Sequence, residues 1–217
     1  MTTGVAGCGG GGSSTPASVS SFPLQVGYKA LVVAGQSNNF TVTGTCPGTA
    51  TFTAGAALPA TFEGVAGFSA TGVLNVNLTN CTAASISNTA TSYYDSNYAP
   101  IGSVSPPVSY AKFLTAPPTL PASVKVGDVG ALSTLTVYTD GTKTTLAGQV
   151  VLSYVIESDT SASAIVNVIS KGYNAANVLL ITQQTRYRID AAGTLTIVSI
   201  DLQASSVSTN HFLLTKV

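Results

Sequence analysis

The sequence predicts an all-β protein built of antiparallel sheets, and three observations carry that reading. Apolar and polar residues alternate with a period of two along most of the chain, helical periodicity is nearly absent, and turn signals recur between the alternating runs. With 217 residues the chain is long enough for one large β domain or two small ones, each burying its own core.

In the first half, Asn39 to Gly44, Thr49 to Thr53 and Val73 to Thr79 each alternate and read as half-buried strands. They are expected to form a sandwich-like N-terminal domain over residues 21–105. Ser105-Pro106-Pro107 and the run Ala116-Pro117-Pro118-Thr119-Leu120-Pro121 then interrupt regular structure, because proline lacks a ladder donor and biases its predecessor toward extended geometry. A domain boundary is therefore placed near residue 105. One continuous sandwich, with these prolines at edge crossings, is the alternative.

The second half, residues 106–217, reads as an up-and-down meander. Asp140-Gly141 between Leu135 to Tyr138 and Thr145-Leu146 is a strong hairpin signal. The long strand from Gln149 to Glu157 is apolar on both faces, as in a strand covered on two sides. Strands at Ala164 to Lys171, Val178 to Ile189 and Thr194 to Leu202 follow, and Val207 to Lys216 is placed to close the meander on an earlier strand.

Charge narrows the function. Asp, Glu, Lys and Arg make up only 7% of the chain, eight acidic against eight basic, where an average soluble protein carries roughly 25%. The basic residues are scattered, so the clustered cations that neutralise nucleic-acid phosphates are missing. Mean hydropathy is +0.38, and Ser and Thr, about a quarter of the residues, must supply the polar surface. Such surfaces suit envelope and extracellular structural proteins. No apolar run approaches the length of about 20 residues that a spanning helix needs. A transmembrane barrel is not expected either, since seven Phe, nine Tyr and no Trp show no girdle spacing.

At the amino terminus, Val5-Ala6-Gly7-Cys8 precedes Gly9-Gly10-Gly11-Gly12-Ser13-Ser14-Thr15-Pro16, a flexible linker composition. The tetrad resembles the lipobox of bacterial lipoproteins, and residues 1–20 read as a disordered lipobox remnant and tether. The resemblance implies a diacylglycerol on the Cys8 thiol and membrane attachment through it. It further implies the outer membrane, because Gly9 stands where the inner-membrane retention signal is Asp. Met1 to Gly7 holds neither a basic region nor the apolar stretch of a signal peptide, so the translation start is expected upstream. Three cysteines are an awkward number in an exported chain. With Cys8 lipidated, Cys46 and Cys81 remain to pair, closing a loop of about 36 residues for about 4 kcal/mol. Two buried free thiols in a cytosolic chain are the alternative. One His and two Cys do not make a zinc site.

Candidate contact residues are few. Tyr93, Tyr94 and Tyr98 offer flat area for a carbohydrate or protein partner, or else pack in a core or interface. Within them, Asp95 and Asn97 make an Asp-x-Asn step that starts some calcium loops, or a plain Asx turn. Arg186 and Arg188 share a strand face with Gln184, reading as an anion or partner contact or as a solvated face. Glu157 and Asp159, at i and i+2, form a possible carboxylate pair beside a turn, and His211 is the single histidine. No nucleophile elbow, phosphate loop or dinucleotide fingerprint occurs. The expectation is thus a non-catalytic, lipid-anchored envelope protein of structural, assembly or surface role, without cofactor, metal or nucleic-acid partner. Two alternatives stand beside it. One is a module holding an apolar molecule or carbohydrate in a curled meander; the other is a subunit self-associating through poorly protected edge strands.

Overall fold

The computed structural model describes residues 18–81, 85–106, 109–205 and 210–217. Cys8 and the linker that follows it lie outside the described residues.

One helix, α1 (Leu24–Ala34), precedes thirteen strands: β1 (Gln36–Gly44), β2 (Gly48–Ala54), β3 (Leu58–Phe62), β4 (Val65–Leu78), β5 (Ser85–Asp95), β6 (Pro100–Ser105), β7 (Ser109–Phe113), β8 (Val129–Tyr138), β9 (Leu146–Ser158), β10 (Ser163–Asn174), β11 (Leu179–Asp190), β12 (Leu195–Ala204) and β13 (His211–Lys216). All pair antiparallel and in up-and-down order. β2 and β3 lie end to end along one edge of the long β4, Gly48 to Ala54 against Leu78 to Gly72 and Leu58 to Phe62 against Ser69 to Val65. They count as one interrupted stave. The last strand returns to the first, with Phe40 opposite Lys216 and Gly44 opposite Phe212. The sheet therefore closes into a barrel of twelve staves.

All-β antiparallel architecture is as the alternation predicts, but the sandwich-like domain followed by a separate meander does not form. The ladder passes through residue 105 without a break, from Tyr93 to Gly102, Lys112 and Thr136 across β5, β6, β7 and β8. Both halves of the chain supply staves to one ring. Period-two alternation reports one buried and one exposed face, and a sandwich and a barrel both have those. What separates them is whether the terminal strands meet. Once they do, every described strand but β3 has a neighbour on both sides, although residues 85–90 of β5 and 129–134 of β8 have no ladder partner on one side.

Inward positions are apolar, among them Phe40, Val42, Ile156, Val166, Ile189 and Leu214. Outward positions on β1, β2 and β5 are Asn39, Thr41 and Thr43, then Thr49, Thr51 and Thr53, then Ser87 and Thr89, all exposed. Hydroxyl and amide groups thus replace charges as the hydrated surface. On these three strands the wall differs from a porin's, whose outside is apolar. No helix of the described residues is long and apolar enough to cross a membrane.

One end of the barrel is plugged. Phe22 forms a two-bond bridge with Val124, at 2.8 and 2.9 Å, tying the segment before α1 to the long connection between β7 and β8. Phe22, Leu24, Leu120 and Val124 are buried there against Tyr154, Ile156 and Ile189. At the other end Ile86 and Ile181 point inward yet remain 47% and 42% exposed, so the lumen meets solvent on that side. The Cys46–Cys81 disulfide staples that rim, joining the β1–β2 turn to the end of β4 with 6.1 Å between Cα atoms. A second core cluster of Phe40, Val42, Leu78, Ile200 and Leu214 packs around it.

Candidate functional site: a chamber in the barrel lumen

Side chains can fill the interior of a barrel of about eight strands, whereas a wider barrel keeps open space. Here the two core clusters occupy opposite parts of the lumen, and a chamber of about 280 Å³ lies between them. Its size is set by local sequence. β4 and β5 turn Ala70, Gly72, Ala90 and Ser92 inward, too small to reach the opposite wall of Tyr187, Ile197 and Ile200. α1 closes the chamber from the plugged end with Tyr28, Leu31 and Val32, while Asn88 and Gln183 stand toward the open end.

Among the described residues, no Asp, Glu, Lys, Arg or His lines the chamber. Its titratable groups are Tyr28, Tyr94 and Tyr187, from α1, β5 and β11. Burial raises the Tyr28 hydroxyl well above its ordinary value, reinforced by Tyr94 and Tyr187. Burial also raises Tyr94, against a smaller opposing pull from Ser92. Tyr187 is pushed up to about 12 by burial, partly offset by Gln36. All three are therefore neutral phenols near neutral pH and act as hydrogen-bond donors. The Tyr28 and Tyr94 rings meet edge to face, 6.5 Å between centroids at 70°.

The three tyrosines singled out in the sequence go to three places. Tyr94 enters the chamber. Tyr93, its neighbour, faces outward because adjacent strand residues point to opposite sides, and it stacks on Phe62 at 4.2 Å. Tyr98 is buried beside the turn and stacks on Phe68 at 4.6 Å, with the Lys29 ammonium 5.4 Å from its ring centre. Asp95 Oδ1 accepts the backbone N–H groups of Asn97 and Ala99 at 2.8 and 2.9 Å, the arrangement of an Asx turn.

Arg186 and Arg188 lie on the outer wall and reach over β10 to carboxylates on the far side. Arg186 Nε meets Glu157 Oε2 at 3.2 Å, and Arg188 grips Asp159 through Nε and Nη2 at 2.7 and 3.2 Å. Beneath them Asn167 is 2% exposed and donates to Glu157 Oε1 and Gln184 Oε1. Arg188 holds the Asp159 carboxyl below its usual range. The guanidinium groups are thus already neutralised within the wall, and Glu157 and Asp159 serve as their counter-ions. His211 Nε2 sits 3.0 Å from Asp201 Oδ1 on the outer wall, away from the chamber.

Sequence reasoning missed Tyr28, Gln36, Gln183 and Tyr187 as neighbours of Tyr94. A usable signal was present in the small residues Ala70, Gly72 and Ala90 at inward strand positions, where a filled core would carry larger side chains. The fold and site define a class: a closed antiparallel barrel with one plugged end and an uncharged inner chamber. No family model, curated protein or solved structure matches the chain, so its function is read from this geometry.

Proposed function

We propose that this chain is a small-molecule-binding barrel, held at the outer membrane of a bacterial envelope by a lipid on Cys8. The observation that carries the binding reading is the chamber itself. It is mostly apolar with a few convergent polar groups, near the lower end of the about 300–1,000 Å³ usual for ligand sites, and two of its lining residues, Gly55 and Asn88, are exposed to solvent. A catalytic role finds less support, because the carboxylates and the histidine lie outside the chamber, engaged with neighbours on the outer wall.

The test is uptake of N-phenylnaphthylamine, a neutral dye that brightens in apolar surroundings. Wild-type protein is expected to take it up at a single site. Ala90→Leu, which pushes a larger side chain into the chamber, is expected to lower the affinity at least about tenfold while remaining folded, since the new methyl groups enter empty space. Equal uptake by wild type and variant overturns the reading. The anchor is tested by labelling cells with a radioactive fatty acid: label is expected on the wild-type protein and absent from Cys8→Ser. An unlabelled wild-type protein overturns that part.

A further inference from the structure

We propose that the chamber selects uncharged ring-bearing molecules that carry a hydrogen-bond acceptor, such as a ketone or ester oxygen, and that the hydroxyls of Tyr28, Tyr94 and Tyr187 read that acceptor. This rests on the chamber being a binding site and adds which chemistry it takes.

Three donors converge on one space from three separate elements, α1, β5 and β11. Convergence of that kind is how a mostly apolar site fixes the orientation of its ligand. Ser92 and Gln36 stand beside Tyr94 and Tyr187, and the Tyr28 ring meets that of Tyr94 edge to face across the same space. A half-buried phenol in a mostly apolar site favours an acceptor beside it, and an oxygen on the bound molecule supplies one.

The same lining excludes ions. A carboxylate or phosphate inside meets no Lys, Arg or His, and an amine meets no Asp or Glu, so either enters a low-dielectric space without a counter-ion. Leu31, Phe52, Leu74, Ile197 and Ile200 supply the apolar contact for a ring. A space of about 280 Å³ accepts one such molecule and is far too small for a two-chain lipid.

Three probes of nearly equal shape separate the contributions: naphthalene, its methyl ketone acetylnaphthalene, and naphthoate, each titrated calorimetrically into the full chain at neutral pH. The ketone is expected to bind about three- to tenfold more tightly than naphthalene, the worth of one net neutral hydrogen bond. Naphthoate is expected to bind at least about tenfold more weakly than naphthalene. Tyr28→Phe is expected to erase the ketone's advantage while leaving naphthalene within about twofold of its wild-type affinity, which also shows that the variant is folded. Naphthoate binding as tightly as the ketone overturns the proposal. So does a ketone advantage that survives in Tyr28→Phe, Tyr94→Phe, Tyr187→Phe and the triple variant. Failure of all three probes to bind wild-type protein instead overturns the binding reading on which the proposal stands.

Discussion

Glu63 shows how single residues hold the outer wall. It occupies the tip of the β3–β4 hairpin at φ 51°, where its carboxylate accepts hydrogen bonds from Tyr110 at 2.5 Å, Lys143 at 2.8 Å and Lys112 at 3.2 Å. Lys143 and Tyr110 lower its pKa from 4.5 to about 2, against an opposing push from burial. A carboxylate whose folded value is depressed contributes its full stability above the unfolded pKa and loses it as the pH falls toward the folded one. Glu63→Gln is therefore expected to cost about 1 kcal/mol at neutral pH, since the two lysines are partly exposed and screened. The gap from wild type is expected to shrink between about pH 4.5 and pH 2, as read from urea midpoints across that range. A gap that does not change with pH contradicts the ionic account. At this scale the sequence was partly legible. The Asp95 turn and the shared face of Arg186 and Arg188 follow from local geometry, whereas the carboxylates that Arg186 and Arg188 reach lie two strands away.

Among the elements, α1 is the one that period-two alternation hides. Leu24, Gly27, Tyr28, Leu31 and Val32 are spaced as i, i+3, i+4, i+7 and i+8, a helical stripe, and Gly35 at φ 70° ends it. The segment is short and sits beside strong strand patterns, so its own periodicity is easily overlooked. Its seat depends on Gly27, where an added Cβ would run into the carbonyl oxygen of Gly193 in the β11–β12 turn. Helix propensity alone predicts that Gly27→Ala stabilises by about 1 kcal/mol. Packing predicts the opposite sign, a loss of about 1–3 kcal/mol, and weaker dye uptake because the displaced helix carries Tyr28, Leu31 and Val32 away from the chamber. Urea unfolding and dye titration of the variant check both, and a stabilised variant with wild-type uptake shows the helix is not seated there.

For the whole molecule, closure decides what the chain does with so few charges. Twelve staves turn an apolar face into one ring, and β1, β2 and β5 leave Thr, Ser and Asn outside, so hydroxyl and amide groups meet part of the solvation demand that low charge creates. The ring also explains why the chamber exists: large inward residues gather near the plug and near the disulfide, and small ones on β4 and β5 leave the space between them open. The binding and selectivity experiments above address this scale, because they read a space that no single element contains.

By itself the sequence determined the local structure: antiparallel strands with one apolar face, the hairpin at Asp140-Gly141, and the pairing of Cys46 with Cys81 once Cys8 is set aside. Those features depend on neighbours along the chain or on counting. Only the tertiary structure decided that the strands form one barrel and that Tyr94 meets Tyr28 and Tyr187 in its lumen. The physical reason is that alternation fixes which face a residue takes but not its partner across the sheet. Closure rests on contacts such as Phe40 opposite Lys216, between residues far apart in sequence.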